Sequence, residues 1–531
     1  MKRNEELNKL AQIQEWDFII IGGGASGLGS ALDATSRGFK TLLLESHDFA
    51  KATSSRSTKL VHGGVRYLAQ GDVGLVKEAL KERGLLAHNA AHIVKNQSFI
   101  IPNYTWWGGI YYKIGLSIYD FLAGKLSLGK TQYISKSKTI EKLPTIEQKN
   151  LASGVVYQDG QFDDARLAIN LSQTIIEKGG SAINYLKVVN LLKNDSNKVI
   201  GVIAEDQFSK KQYQIRAKVV INATGVFTND ILNMNNPKHG KFVVPSQGIH
   251  LVLDKSFLKS DEAIMIPKTS DGRVLFVVPW HDRALVGTTD TLLDNPSFEP
   301  HALESEIKFV LETARQYLSK KPTREDVKSV FAGLRPLAAP KDEGKNTKEV
   351  SRSHKVITSD TGLVSIIGGK WTTYRKMAED TIDKAIQVHN MKSVPSNTER
   401  LSIHGNVKPE EVDRSNHLYV YGSDIPEIQS LQKSNPKYSE KIHPEHPYTV
   451  AEVIWAIRHE MAETVEDVLA RRVRLLFLDA RAAIDCAHKI ASIIAEERQL
   501  PQEWADEQEK EFIELAKGYL LTPYSPNTNL N

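Results

Sequence analysis

Three glycines near the start of the chain have the spacing with which proteins bind dinucleotide phosphates. Gly22, Gly24 and Gly27 form a G-x-G-x-x-G motif. Their positions provide a tight turn, a close approach of backbone to pyrophosphate, and close packing of a helix on a strand. Ala25 and Ser26 lie inside the motif at the predicted start of that helix, where backbone N–H groups favour an anion. We therefore expect all five residues to bind a dinucleotide.

A carboxylate follows where the ribose of such a ligand would lie. Glu45 stands eighteen residues after Gly27, at the end of an apolar stretch, residues 41–44, that predicts a second strand. It can accept hydrogen bonds from the adenosine ribose hydroxyls, and it disfavours a 2′-phosphate. The first strand is predicted at residues 18–21, a continuous apolar run typical of a buried parallel strand. Strand, turn, helix, strand and acid in this order make the motif specific, but they do not separate FAD from NAD.

Two later segments favour FAD. Residues 219–225, VVINATG, predict a buried strand that ends in Ala223, Thr224 and Gly225. Residues 363–380, LVSIIGGKWTTYRKMAED, predict another strand, a glycine pair and a helix whose N–H groups could face an anionic reduced flavin. Taken singly, each segment also fits a plain βα turn. Together they indicate an α/β chain with a two-dinucleotide-type, Rossmann-like FAD-binding domain, in which late strands return to the nucleotide.

Composition and net charge limit the classes of function that we expect for this chain. The chain has 531 residues, 41% apolar and 25% charged, with a net charge of +4. This small basic excess does not favour nucleic acid, but it is compatible with an anionic substrate or a lipid surface. A single cysteine, Cys486, excludes an intrachain disulfide framework. The charged N-terminus and the lack of a long apolar run predict a cytoplasmic protein without a membrane span.

Four segments together resemble one enzyme family. They are residues 51–68, KATSSRSTKLVHGGVRYL, residues 277–291, VVPWHDRALVGTTDT, residues 331–337, FAGLRPL, and residues 368–380, GGKWTTYRKMAED. They are similar to segments of the FAD-dependent, respiratory glycerol-3-phosphate dehydrogenases of aerobic type. The similarity runs from about residue 15 to about residue 390 and continues more loosely through a C-terminal helical cap.

The resemblance implies non-covalent FAD and further flavin contacts. Arg56 departs from the family, which often has a small residue there, and we expect it to add charge near the cofactor without abolishing binding. The further cofactor-binding residues that the resemblance implies are Ser54, Ser55, Ser57, Lys59, His62, Gly63, Gly64, Gly369, Lys370 and Thr372.

The resemblance also implies a reaction: oxidation of sn-glycerol 3-phosphate to dihydroxyacetone phosphate, with hydride transfer to flavin N5 and electrons passed to a quinone. A phosphate dianion requires fixed positive charge, for which Arg suits bidentate recognition and Lys acts as a point charge. The residues implied for substrate binding are scattered along the chain, so their convergence is a prediction about the fold. They are Arg66, Tyr67, Arg335, Arg352 and Lys370.

The proton acceptor is sought among histidines, because imidazole titrates near neutral pH. His250, in QGIHLVL, is the first candidate and His62 the second, with Arg335 as the third catalytic residue. A histidine with a purely structural role is the alternative at both positions. His459, Glu460 and Glu463 lack the second histidine of H-E-x-x-H, so we predict a helix surface there and no metal site.

The remaining patterns predict the architecture. Residues 162–180 predict a helix with apolar Leu167, Leu171 and Ile175 on one side, and alternating runs near 242–291 predict an antiparallel substrate sheet. Helical periodicity returns from about residue 395. The expected organisation is an FAD domain over about 15–90, 150–235 and 350–395, an inserted substrate domain over about 91–149 and 236–349 with a surface loop at 341–350, a helical domain over 396–521, and a disordered tail over 522–531.

An aromatic segment, residues 103–124, bears on localisation. It concentrates Trp, Tyr, Ile and Leu, interrupted by Lys113 and Asp120. Such a stretch is too broken to span a bilayer but could lie in the interface plane. An ordinary buried helix is the alternative. With the family resemblance, the segment predicts a peripheral protein at the cytoplasmic face of the membrane.

Other functions remain open on the sequence. One is a glycerol-3-phosphate oxidase that uses oxygen; another is an amine-oxidising flavoenzyme of the glycine oxidase type, which would need a carboxylate-binding Arg. A third is a scaffold with a structural flavin. The partners we expect are sn-glycerol 3-phosphate, a quinone and a membrane surface, with no nucleic acid; pairing with a second copy of the chain is left open.

Overall fold

The computed structural model describes residues 1–64, 72–105, 107–238, 240–269, 272–339 and 354–524. Two sheets and a set of C-terminal helices make up most of this part of the chain. Strands and helices are numbered below in chain order within the described residues.

The first sheet contains the predicted nucleotide strands. Its order is β17-β18-β10-β1-β2-β7; β18, β10, β1, β2 and β7 run parallel, and β17 is an antiparallel edge. A hairpin of β8 and β9 continues from the first half of β10. The strands are β1 (Trp16–Ile21), β2 (Thr41–Leu44), β7 (Ser181–Ile183), β8 (Leu186–Lys193), β9 (Val199–Asp206), β10 (Gln212–Asn222), β17 (Lys355–Thr358) and β18 (Val364–Ile367).

The second sheet is largely antiparallel and lies beside the first. Its order is β15-β11-β14-β13-β12-β4-β6-β3, with β16 paired to β11 and β5 paired to β6. The strands are β3 (Leu60–Val61), β4 (Val94–Asn103), β5 (Gln132–Ser135), β6 (Ser153–Phe162), β11 (Val243–Asp254), β12 (Ala263–Ile266), β13 (Leu275–Trp280), β14 (Arg283–Gly287), β15 (Thr291–Leu292) and β16 (Val327–Ala338).

Helices cover both sheets and dominate the C-terminal part. They are α1 (Arg3–Gln12), α2 (Ala25–Ser36), α3 (Val73–Asn89), α4 (Gly108–Ala123), α5 (Lys136–Lys142), α6 (Asp164–Glu177), α7 (Thr228–Asn235), α8 (Glu304–Tyr317), α9 (Tyr374–Val388), α10 (Ile425–Ser434), α11 (Val450–His459), α12 (Leu475–Leu478), α13 (Ala480–Arg498) and α14 (Gln502–Lys517). A π-helical turn at Asp467–Arg472 precedes α12.

Apolar periodicity explains how the nucleotide sheet is covered. Leu167, Leu171 and Ile175 are fully buried on α6, and they share one hydrophobic core with Phe18 and Ile20 of β1. This confirms the helix predicted over 162–180, although it begins at Asp164, where the Asp163 side chain caps it by accepting a hydrogen bond from Arg166 N.

The C-terminal helices are joined to the nucleotide part by buried charges. Asp48 accepts hydrogen bonds from Arg471 Nε at 2.5 Å and from Arg472 Nη1 at 2.6 Å. Glu460 is fully buried and paired with Arg166. The prediction that residues 459–463 form a helix surface was therefore wrong for Glu460 and Glu463, which are buried because each has an arginine partner. In the described residues, no group of three or more His, Cys, Asp and Glu could hold a metal ion.

Two expected boundaries differ from the structure. The strands β3 and β6 belong to the second sheet, although they lie in stretches expected in the FAD domain. Residues 522–524 are not a free tail, because Arg481 donates to Thr522 O and Pro523 O, and Tyr524 Oη donates to Asp485. Residues 525–531 and the predicted surface loop at 341–350 lie outside the described residues.

The aromatic segment forms α4, which has two apolar faces. Its inner side buries Leu116 and Tyr119 against the second sheet and α3. Its outer side exposes Ile114 and Phe121, the latter 84% exposed. The inner side fits the buried-helix alternative, and the outer side leaves apolar residues exposed; contact of that side with a membrane stays a prediction. None of the helices in the described residues is long and apolar enough to cross a bilayer.

Candidate active site

A cavity of about 520 Å³ runs between the two sheets, and the predicted glycine motif lines one end of it. Gly22 has φ +111°, and a Cβ there would lie 2.7 Å from Ala223 O. A Cβ on Gly27 would lie 1.8 Å from Gly22 O. The turn after β1 therefore packs directly against α2 and against the turn after β10, and only glycine fits these contacts.

Glu45 has the place expected of a ribose ligand. It lines the cavity at the end of β2, and its Oε2 accepts a hydrogen bond from Gly23 N at 2.6 Å. Its Oε1 accepts one from His47 N at 2.9 Å. Burial raises the pKa of Glu45 above its usual value, and these N–H donors partly offset that effect. The donors orient the carboxylate in the cavity beside the glycine turn.

The glycine turn, Glu45 and the two later turns together fit an FAD molecule. The start of α2 opens into the cavity through Gly24, Ala25 and Ser26, with no side chain beyond the size of serine. The turns at 223–225 and 368–370 meet the first turn around the same space, as the two later motifs predicted. The cavity thus offers N–H groups for phosphates, a carboxylate for ribose, and space between residues of both sheets for an isoalloxazine.

Residues 51–64 form one wall of the cavity. Ser54, Ser57 and His62 line it. Ser54 Oγ accepts a hydrogen bond from Ala25 N at 2.9 Å, and Trp371 Nε1 donates to Ser54 O at 2.9 Å. This wall is therefore attached to both the first and the third nucleotide turn.

Some residues predicted to bind the cofactor lie behind that wall. Lys59 is fully buried, and its ammonium binds Asp164 and Ser55 O instead of facing the cavity. Gly63 N donates to Tyr119 Oη at 2.7 Å, which turns this peptide toward α4. A direct role in lining the cavity is thus contradicted for Lys59, whose charge needs a buried partner. The other predicted residues that do not line the cavity are Gly27, Ser55, Gly63 and Gly64.

The other end of the cavity brings together predicted substrate residues from distant segments. His250 of β11, Arg335 of β16 and Lys370, after β18, all line it, as do His62 and Thr372. Arg335 Nη2 donates to Thr288 Oγ1 at 3.2 Å, and Nη1 lies 3.4 Å from Asp290 Oδ1. Arg66, Tyr67 and Arg352 lie outside the described residues.

His250 is a buried imidazole in surroundings that favour its neutral form. Burial, followed by the nearby charges of Lys59 and Arg335, holds its pKa well below the usual value. A neutral ring can accept a proton, and a phosphate dianion bound near Arg335 would offset the positive charge around it. The geometry is compatible with the predicted role as base.

Several cavity residues were missed by sequence reasoning. Thr58 binds His250, and Gly248 leaves the room that Arg335 occupies, since a Cβ there would lie 2.3 Å from Arg335 Nη2. Phe298 stacks on Phe227 with ring centroids 4.0 Å apart, beside the nucleotide end. Thr58 stands among residues already assigned to the cofactor, but nothing local could reveal a partner 192 positions away.

Arg56 is the residue that departs from the family pattern, and the structure shows what surrounds its charge. Its guanidinium is buried and lies 2.7 Å from Glu299, which also binds Lys51 at 2.6 Å. It lies over the rings of Phe477 and Tyr519 of the C-terminal part. Arg56 lines the cavity, but its added charge is paired with Glu299, which is consistent with retained cofactor binding.

Comparison with known proteins gives consistent matches along the chain. The family described as FAD dependent oxidoreductase matches residues 17–375, and the C-terminal domain of alpha-glycerophosphate oxidase matches residues 359–509. The mitochondrial glycerol-3-phosphate dehydrogenase of Rattus norvegicus is 38% identical over 555 residues, which cover 98% of this chain and 75% of the relative.

Solved structures support the same fold. The glycerol-3-phosphate dehydrogenase from Bacillus halodurans complexed with FAD aligns with a TM-score of 0.80 and 28% identity, covering 98% of this chain and 99% of that one. The L-alpha-glycerophosphate oxidase from Mycoplasma pneumoniae with FAD bound aligns with a TM-score of 0.55 and 17% identity, covering 72% and 97%. The second likeness concerns the fold alone.

Proposed function

Because the chain belongs to the family of FAD-dependent glycerol-3-phosphate dehydrogenases, we propose that it oxidises sn-glycerol 3-phosphate to dihydroxyacetone phosphate and passes the electrons to a quinone. The observation that carries this proposal is the shared cavity. His250, Arg335 and Lys370, which come from three distant segments, line the same space as the dinucleotide motif. A phosphate-bearing alcohol is a substrate that needs both the cations and the proton acceptor.

The roles follow from the chemistry of each group. The Arg335 guanidinium and the Lys370 ammonium bind the substrate phosphate, the first through paired N–H donors and the second as a point charge. His250 accepts the proton of the C2 hydroxyl, and His62 is the second candidate for this step. The chemistry that FAD supplies when bound non-covalently is acceptance of the hydride from C2.

The decisive test is anaerobic reduction of the purified yellow protein by sn-glycerol 3-phosphate. We expect the flavin absorbance to bleach with this substrate and to stay unchanged with glycine, which separates the proposal from an amine oxidase and from a structural flavin. A quinone analogue should then reoxidise the protein faster than oxygen does. Faster reoxidation by oxygen would replace the dehydrogenase proposal with an oxidase.

We propose further that the protein binds the cytoplasmic face of the membrane through the outer face of α4. This face is defined by Ile110, Ile114, Ile118 and Phe121, and with Tyr133 it forms an exposed apolar groove. Lys113 is exposed at the same groove and could contact anionic headgroups. Exposed apolar surface of this kind is unusual on a face in contact only with water.

Flotation with anionic liposomes tests the surface. We expect the wild type to float at low salt and less so at high salt, and Ile114→Ser/Phe121→Ser to stay in the soluble fraction. The matched control, Leu303→Ser/Leu500→Ser, changes two exposed leucines elsewhere and should float like wild type. If instead the wild type stays in solution as a dimer and the α4 variant becomes monomeric, a second copy of the chain covers this face.

A further inference from the structure

His250 is held by few polar contacts. Its buried ring stacks on Phe331, with centroids 5.0 Å apart, and lies against Gly287 of β14. A Cβ on Gly287 would lie 2.4 Å from His250 Cδ2, so glycine is needed there to admit the ring. Within the described part of the chain, Nδ1 has no hydrogen-bond partner, whereas Nε2 lies 2.9 Å from Thr58 Oγ1. The Thr58 hydroxyl is thus the polar group able to set the orientation of the ring. A hydroxyl can donate or accept, so the tautomer follows from both nitrogens: the partnerless Nδ1 carries the lone pair and Nε2–H donates to Thr58, because a buried N–H without an acceptor is the costlier arrangement.

The two sequence neighbours of Thr58, Ser57 and Lys59, are both bound by Asp164. Asp164 Oδ2 accepts hydrogen bonds from Ser57 N and Ser57 Oγ at 3.0 and 2.7 Å. The same oxygen lies 2.7 Å from Lys59 Nζ. Lys59 has φ +63°, a left-handed conformation that is unfavourable for a residue with a Cβ, and the buried ion pair holds it there. One carboxylate oxygen therefore fixes the residues before and after Thr58.

Asp164 is also bound by a residue that belongs to the C-terminal helical part. Arg474, just before α12, donates through Nη2 to Asp164 Oδ1 at 2.9 Å and to Ser55 O at 3.0 Å. Its Nη1 donates to Ala470 O at 3.0 Å. Asp164, Lys59 and Arg474 are all buried, so removing one charge would leave the others without compensation in a low-dielectric site. The contacts lead from the helical part to Asp164, then to Thr58 and His250.

We propose that Thr58 is a positioning residue whose hydroxyl holds the His250 imidazole in one rotamer and one tautomer. Ser57, Lys59, Asp164 and Arg474, here termed the Asp164 cluster, hold Thr58 in place. This inference rests on the proposed function, in which His250 accepts the proton of the substrate hydroxyl. A ring that rotates or changes tautomer freely would present a nitrogen with its lone pair in only part of the molecules, and the rate of proton transfer would fall accordingly.

The charges that face His250 are consistent with this role. Lys59 belongs to the segment before β3, and Arg335, which lies 3.4 Å from Asp290, belongs to β16, the strand paired with β11. Burial lowers the pKa of Lys59 to about 7, although Asp164 opposes that shift. Neither strand that flanks the ring, β14 or β16, places a carboxylate against His250, so the ring nitrogens depend on Thr58 for orientation.

The first test compares Thr58→Val with Thr58→Ser. Valine keeps the shape and removes the hydroxyl, so we expect kcat to fall about ten- to a hundredfold, with KM changed less than threefold and FAD content unchanged. Serine restores the hydroxyl and should return kcat to within about threefold of wild type. Equal kcat in Thr58→Val and wild type, alongside a large loss in His250→Gln, would overturn the inference while leaving the proposed function intact.

The second test does not depend on turnover. The ring-nitrogen NMR spectrum of protein labelled at histidine shows the tautomer directly, and His250→Gln identifies the His250 signals by their loss. We expect one protonated and one unprotonated nitrogen for His250 in wild type and in Thr58→Ser, and averaged signals in Thr58→Val. Unchanged His250 signals in Thr58→Val would contradict the positioning role, whether or not glycerol 3-phosphate proves to be the substrate.

The Asp164 cluster is tested with Asp164→Asn, which keeps the side-chain shape. We expect it to reproduce the Thr58→Val signature, a lower kcat and averaged His250 signals, in protein that still melts cooperatively and retains FAD. If it does not fold, Ser57→Ala removes one of the donors to Asp164 Oδ2 and should shift the His250 signals in the same direction. Wild-type His250 signals in both variants would show that Thr58 is held without the cluster.

Discussion

At the nucleotide end of the cavity, Gly22, Gly24 and Glu45 come from one short stretch of chain and act through backbone shape and a single carboxylate. At the substrate end, His250 and Arg335 come from two strands that are far apart in the sequence but paired in the second sheet. Their side chains are held by other side chains, among them Thr58 and Thr288. The nucleotide end depends on whether atoms fit, so an added side chain in its glycine turn should remove binding altogether. The substrate end depends on charge and orientation, so changes there should give graded losses of rate.

The largest effect is expected where fit is tightest. Gly27→Val would place a side chain 1.8 Å from Gly22 O and push α2 away from β1, so we expect protein without bound FAD. The flavin absorbance per protein measures this. Gly115→Ala is the control, because a Cβ there meets nothing within 4 Å. A yellow Gly27→Val protein would show that the two ends do not differ in the way described.

The substrate end should lose activity and keep its flavin. Arg335→Ala and Lys370→Ala each remove a charged partner of the phosphate, at a cost of about 1.5–3 kcal/mol, or roughly ten- to a hundredfold in kcat/KM. Steady-state kinetics and flavin content are measured together, with the exposed Arg216→Ala as the control. Unchanged kcat/KM in both variants would remove these residues from the substrate site.

A milder change at the nucleotide end sharpens the comparison. Glu45→Gln keeps the shape but removes the charge and replaces one acceptor oxygen with an NH2 group, so a ribose hydroxyl or a backbone N–H loses its acceptor at a cost of about 0.5–1.5 kcal/mol. We expect FAD to dissociate at a roughly two- to tenfold higher concentration, with kcat of the loaded enzyme unchanged. Fluorescence of released FAD measures the affinity, and a change in kcat instead would place Glu45 in the chemistry.

The smallest effect is expected away from both ends. Burial lowers the pKa of His404, but its hydrogen bonds to Asp424 and Glu177 outweigh burial and raise the pKa to about 9. Because the folded-state pKa lies above the unfolded value, this stabilisation is complete below about pH 6.5 and is lost as the pH rises through about 9. His404→Gln should therefore lower Tm by a few degrees at pH 6 and hardly at all at pH 9.5, with FAD content unchanged. An equal change in Tm at both pH values would contradict the role of the charged ring.

Local patterns determined the nucleotide end from the sequence. The apolar runs of β1 and β2, the glycine spacing and Glu45 all lie within one βαβ unit, where neighbours in sequence are neighbours in space. The helix α6 was likewise predictable, because three apolar residues at helical spacing face one core. The family resemblance added Arg335 and Lys370, and the chemistry of proton transfer added His250; local patterns do not connect these three residues.

Tertiary structure alone decided how side chains far apart in the sequence pair. Lys59 was predicted to bind the cofactor, but the fold places Asp164 behind it and Arg474 beyond, so its charge is directed away from the cavity. Glu460 was predicted to lie on a helix surface, but the structure buries it in an ion pair with Arg166. Burial of a charge is costly unless an opposite charge lies beside it. The sequence alone does not show which residues pair in this way or how far apart they lie. The orientation of α4 was also left open by the sequence, but for a different reason: both of its sides are apolar, so only packing determines which one is covered.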